Sequence, residues 1–80
     1  MSLKTPSGRM ASHSRLVDAA LEGYLAWRAE SAAVASSYQD WTRAPRDARA
    51  GAFGAYVAAL DREEHAASAY QRVLAQSPVV

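Results

Sequence analysis

The chain has 80 residues, a net charge of +1 and no cysteine. That length allows one small domain whose core alone is marginal, and the missing cysteines exclude disulfides and thiolate metal sites, which leaves oligomerisation to complete the core. Lys4 and Arg9 lie in residues 1–13 without an acid, while residues 14–80 carry seven Arg against eight Asp and Glu, so the near-neutral body has no electrostatic reason to bind nucleic acid or anionic lipid.

Nineteen residues are alanine and one is phenylalanine. Helix is therefore the favoured state, because alanine loses least on entering one. Residues 1–13 mix Ser, Pro, Gly and isolated basic groups without a period. They lack the apolar surface that would offset the entropy of ordering and are expected to form a flexible N-terminal tail. The opening MSLKTPSGRM has no apolar run of the signal-peptide kind, and no stretch approaches the ~18 apolar residues of a membrane span. A cytoplasmic setting without membrane contact is expected.

From Ser14 to Arg43 there is no proline and one glycine, Gly23, and Ser12 or Ser14 can cap the start by accepting a backbone N–H. The spacing predicts one helix over about 14–43. Its stripe falls at Val17, Ala20, Tyr24, Trp27, Ser31, Val34, Tyr38 and Trp41, the alternating threes and fours of a coiled-coil seam. Pro45 biases Ala44 away from helical angles, which places a turn at about 44–46. It also suits the first position of a second helix over about 45–76, with Asp47 favouring the first turn. The second stripe runs Phe53, Tyr56, Leu60, Glu63, Ala67, Tyr70 and Leu74, and Pro78 marks the end of the helical hairpin, 14–77.

So short a connection makes the helices antiparallel neighbours. The predicted fold is all-α, a two-helix hairpin that pairs with a second copy into a four-helix bundle. Folding about 44–46 sets opposite one another positions whose numbers sum to about 91. Large then faces small at Tyr24 with Ala67, Ala20 with Tyr70 and Ser31 with Leu60, and charges meet at Arg28 with Glu63, Asp18 with Arg72 and Asp40 with Arg49. Arg28 and Glu63 would form a polar position on the seam. A stripe of small residues on the second helix, Ala48, Ala52, Ala55, Ala59 and Ala66, together with Trp41 beside the turn, is the expected homodimer interface.

The densest polar cluster is Asp61-Arg62-Glu63-Glu64-His65. Asp61 and His65 lie one turn apart and, with Glu64, are the candidate metal ligands. The HExxH spacing of zinc hydrolases and the paired Glu-x-x-His elements of di-iron bundles are both missing. A solvated charged face explains the cluster more simply, so no metal and no cofactor is expected. Without a Gly-rich phosphate loop, a Ser/His/Asp order or a cysteine nucleophile, no residue is a candidate for catalysis. The reading is a non-enzymatic interaction or adaptor module that acts through homodimerisation and a partner protein. The alternatives are a small-molecule or metal-binding bundle using Arg28, Glu63, Glu64 and His65, and a nucleic-acid accessory protein using the basic tail of Lys4, Arg9, His13 and Arg15.

Overall fold

The computed structural model describes the backbone of residues 4–76 and the side chains of residues 14–76. Residues 1–3, the side chains of residues 4–13, and residues 77–80, Pro78 among them, lie outside that description. The chain folds as a hairpin of α1 (Lys4–Arg43) and α2 (Arg49–Gln76), joined through Ala44, Pro45 and a single 3-10 turn at Arg46–Ala48. The all-helical hairpin read from the periodicity is thus the architecture found.

Its boundaries differ at two places. Where a flexible tail was expected over residues 1–13, α1 is already helical backbone from Lys4. Pro6 is compatible with this start, because the opening turn of a helix has N–H groups without intrahelical acceptors and a missing donor costs nothing there. At the turn, Pro45 has φ −66° and ψ 165°, so it is extended and stands before the 3-10 turn instead of opening α2. Trp41 O, one of the carbonyls α1 leaves unpaired at its end, accepts Ala44 N–H at 3.2 Å, and Pro45 O accepts Ala48 N–H at 2.9 Å. The Arg49 guanidinium donates to Ala44 O at 3.4 Å.

The 3-10 turn resets the register. Tyr24 meets Tyr70, Tyr38 meets Tyr56, Trp41 meets Phe53 and Ser31 meets Glu63, so facing positions sum to about 94 instead of 91. That shift is nearly one helical turn. Arg28, Asp18, Asp40, Arg49 and Arg72 are all exposed, and among the described residues the cross-helix ion pair is Glu30 with Arg62, at 3.3 Å. The shift also replaces large-on-small contacts by aromatic ones.

Those aromatic contacts form two layers with one motif. In the distal layer the Tyr70 ring stacks on Trp27 with centroids 6.2 Å apart and 16° between planes, and takes the edge of Tyr24 at 6.0 Å. In the layer near the turn Tyr56 stacks on Trp41 at 5.5 Å and 16°, and meets Tyr38 at 5.5 Å. Tyr24-x-x-Trp27 recurs as Tyr38-x-x-Trp41, and Tyr56 recurs as Tyr70, each fourteen residues on. Fourteen residues are two heptads, so the two sets fall on one face of each helix.

Between the layers the helices approach closely. Ala59 is fully buried at 0% exposure, and Ala52 and Ala66, a heptad away on either side, are half-buried. Gly23 allows the same approach on α1, since a Cβ there would stand 3.1 Å from Tyr70 Cδ1 and 3.3 Å from Tyr70 Cα. The helices therefore meet along alanine and glycine, and the rings flank the line of closest approach.

Candidate functional site

Glu63 is the polar position of the seam, but Arg28 is not its partner. Its Oε2 accepts the Trp27 Nε1–H at 3.0 Å and the Ser31 hydroxyl at 3.1 Å. Both donors come from α1 and are half-buried with it, so the carboxylate ties the two helices together at one height. Arg28 stands on the exposed side of α1.

The candidate metal ligands stand on the outer surface of α2. Asp61, Glu64 and His65 are exposed, and His65 Nδ1 lies 3.3 Å from the Asp61 backbone oxygen, not from a carboxylate. Among the described residues no three His, Cys, Asp or Glu side chains are placed to hold a metal ion. No helix of the described chain is long and apolar enough to cross a membrane.

The alanine stripe read as an interface divides in two. Ala52, Ala59 and Ala66 face α1, and Ala59 has no surface left for a second chain, whereas Ala48 and Ala55 are exposed. The physical cause is the aromatic set: six Tyr and Trp rings in a two-helix seam leave room for only small residues where the backbones come together. Trp41, the other expected interface residue, is half-buried against Phe53 at 4.9 Å and Tyr56.

What this packing leaves outside is the larger part of the bulky apolar set. Val17, Leu21, Tyr24, Leu25, Tyr38, Phe53, Val57, Leu60 and Leu74 are each more than a third exposed, with Leu21 and Leu25 at 56%. All but Leu25 share one side of the hairpin. On α1, Val17, Leu21, Tyr24, Arg28, Ser31, Ala35 and Tyr38 follow one another in threes and fours, and Tyr24 and Tyr38 mark the edge where this stripe touches α2. On α2, Phe53, Val57, Leu60, Glu64, Ala67, Gln71 and Leu74 do the same, and Phe53 reaches back to Trp41 and Tyr56 at that same edge. The Glu30–Arg62 pair rims the opposite side. A shallow groove lined by Gly54, Val57, Leu60 and Glu64 runs along the α2 stripe.

Sequence reasoning missed this face because it placed Leu60, Phe53 and Leu74 in the seam. The fourteen-residue Tyr/Trp repeat was the available signal: it fixes which rings share a layer and pushes the neighbouring aliphatics to the flank. The chain matches no protein-family model, no curated protein and no solved structure.

Proposed function

We propose that the chain is a non-enzymatic helical interaction module which works by covering its apolar face with another protein surface, in the first place a second copy of itself, with the assembled bundle serving as an adaptor for a partner protein. The observation that carries this reading is the inversion of burial: among the described residues nine large hydrophobic side chains are exposed while the one fully buried residue is an alanine. An exposed contiguous apolar patch of this kind marks an interface, because a monomer gains nothing by keeping it wet. The apolar face, from Val17 to Tyr38 and from Phe53 to Leu74, is about 32 Å long and about 20 Å wide from helix rise and diameter. Covering it on both partners buries roughly 1,300 Å², within the range of specific interfaces.

The test is solution mass by light scattering and sedimentation across micromolar to millimolar concentration. The wild-type chain should run at twice its own mass. Val57→Glu, a charge placed on the exposed stripe and away from the seam, should return it to monomer, and because the contact is self-complementary the substitution counts twice. A monomeric wild type at every concentration contradicts the reading.

A further inference from the structure

We infer that the second copy docks with its turn at the same end, about a two-fold axis parallel to the helices, so that α1 of each copy lies on α2 of the other and Arg28 of each pairs with Glu64 of its partner. This rests on the homodimer reading above and adds which surfaces meet and in what register.

Two ways of closing the apolar faces on each other are compatible with two-fold symmetry. An axis across the helices stacks α1 on its own copy and α2 on its own copy, with the turns at opposite ends. An axis along the helices stacks α1 on the partner's α2, with the turns together. The charges on the face choose between them. Arg28 is the one charged residue of the α1 stripe and Glu64 the one charged residue of the α2 stripe. Among the described residues neither forms an ion pair. If α1 stacked on α1, no slide along the axis would bring an acid to Arg28, because that stripe has none, and Glu64 would likewise be buried without a base. An uncompensated charge in an apolar interface is strongly unfavourable.

The parallel axis removes the problem without adjustment. Rotation about it preserves height along the helix, so a position on α1 faces the position on the partner's α2 that it faces in its own chain, at a sum of about 94. Arg28 then lies within a turn of the partner's Glu64. The same register sets Leu60 between Ser31 and Ala35 of the other copy, Leu21 beside Leu74 and Tyr38 beside Val57, so apolar side chains cover one another along the face. The charges on the face select this arrangement, and its apolar residues are covered in the same register.

Two measurements test it. Asp47→Cys introduces a single thiol at the turn, since the chain has no cysteine. Spin labels on the two copies should lie within about 25 Å in the arrangement proposed, against more than ~40 Å if the turns were at opposite ends, the length of α2 from its rise per residue. Arg28→Glu and Glu64→Arg should each weaken the dimer about tenfold or more, and the double reversal should restore it, as expected for a direct interfacial charge pair. A dimer whose labels are far apart, or whose double reversal is no tighter than the single ones, overturns this docking and leaves the homodimer standing. A wild-type chain that is monomeric overturns both.

Discussion

The aromatic layer beside the turn and the layer about 21 Å further along, fourteen residues at the helical rise, are built from the same Tyr, Trp and Tyr and differ in what completes them. In the distal layer the position facing Trp27 is Glu63, whose carboxylate takes the indole N–H. The equivalent position in the turn layer, fourteen residues earlier, is Arg49, a cation that cannot accept a hydrogen bond and turns instead to the Ala44 carbonyl. Phe53 fills the space beside Trp41, so that layer is held by ring packing alone. One motif is thus used once as an apolar clamp and once as a polar lock. The clamp can tolerate small shifts of one helix along the other, while the lock fixes the register, because a hydrogen bond fails over a displacement that ring stacking survives.

The largest effect should come from breaking the clamp. Trp41→Ala removes the ring on which Tyr56 stacks and Phe53 rests, and should cost about 3 kcal/mol or more in chemical denaturation, the lower end for a large ring removed from a packed site, since Trp41 is only half-buried. In a chain of this size, a Tm loss above about 12 °C is the corresponding thermal readout. A loss below about 1 kcal/mol would show that the turn layer contributes little.

The lock should respond to chemistry more than to size. Glu63→Ala strands the Trp27 N–H and the Ser31 hydroxyl and should cost about 1–3 kcal/mol, the desolvation cost of half-buried groups left unpaired. Glu63→Gln keeps an acceptor and should recover a large part of it. Arg49→Ala, at the matching position of the other layer, should cost a few tenths of a kcal/mol, because the bond it loses is exposed and long at 3.4 Å. Equal losses at 63 and 49 would erase the distinction between the layers.

How far the fold was legible follows from these same residues. The two helices, the break at Pro45 and the presence of Tyr24, Trp27, Tyr56 and Tyr70 at or near the seam were all readable, since they depend on proline chemistry and heptad spacing. The register was not, because it depends on whether Arg46–Ala48 opens α2 or forms a 3-10 turn, a difference of small energy that no side-chain pattern announces. Glu63 stayed at the height of Arg28, but Arg28 stands on the exposed side of α1 and the carboxylate found the indole of Arg28's sequence neighbour Trp27 instead. The candidate interface suffered from a subtler ambiguity. A stripe of alanines and a stripe of bulky aliphatics lie side by side on α2, and either can face α1. Composition favours burying Leu60 and Phe53, yet close packing of paired Tyr and Trp rings selects Ala52, Ala59 and Ala66 for the line of contact.

The smallest effect, and the one that reads the distal layer most directly, is a single methyl group added at glycine. Glycine inside a helix costs about 1 kcal/mol relative to alanine, so Gly→Ala is stabilising wherever the added carbon has room. At Gly51, near the start of α2, a Cβ would meet nothing within 4 Å, and Gly51→Ala should raise stability by about 0.5–1 kcal/mol from propensity alone. At Gly23 the same carbon would stand 3.1 Å from Tyr70 Cδ1 and 3.3 Å from Tyr70 Cα. The ring cannot swing aside, because Trp27 stacks on it and Tyr24 meets its edge, and the Cα moves only if α2 moves. A shift of α2 by a few tenths of an ångström would in turn stretch the Glu63 hydrogen bonds one to two turns away. Overpacking of this kind costs about 1–3 kcal/mol, which exceeds the propensity gain, so Gly23→Ala should be net destabilising although it replaces the second-worst helix former by the best. Denaturation of both variants at one fixed protein concentration, which removes mass-action effects of association, should give opposite signs. If Gly23→Ala stabilised the chain as much as Gly51→Ala, the close approach of the helices at Tyr70 would be refuted, and with it the reason the distal layer holds its register.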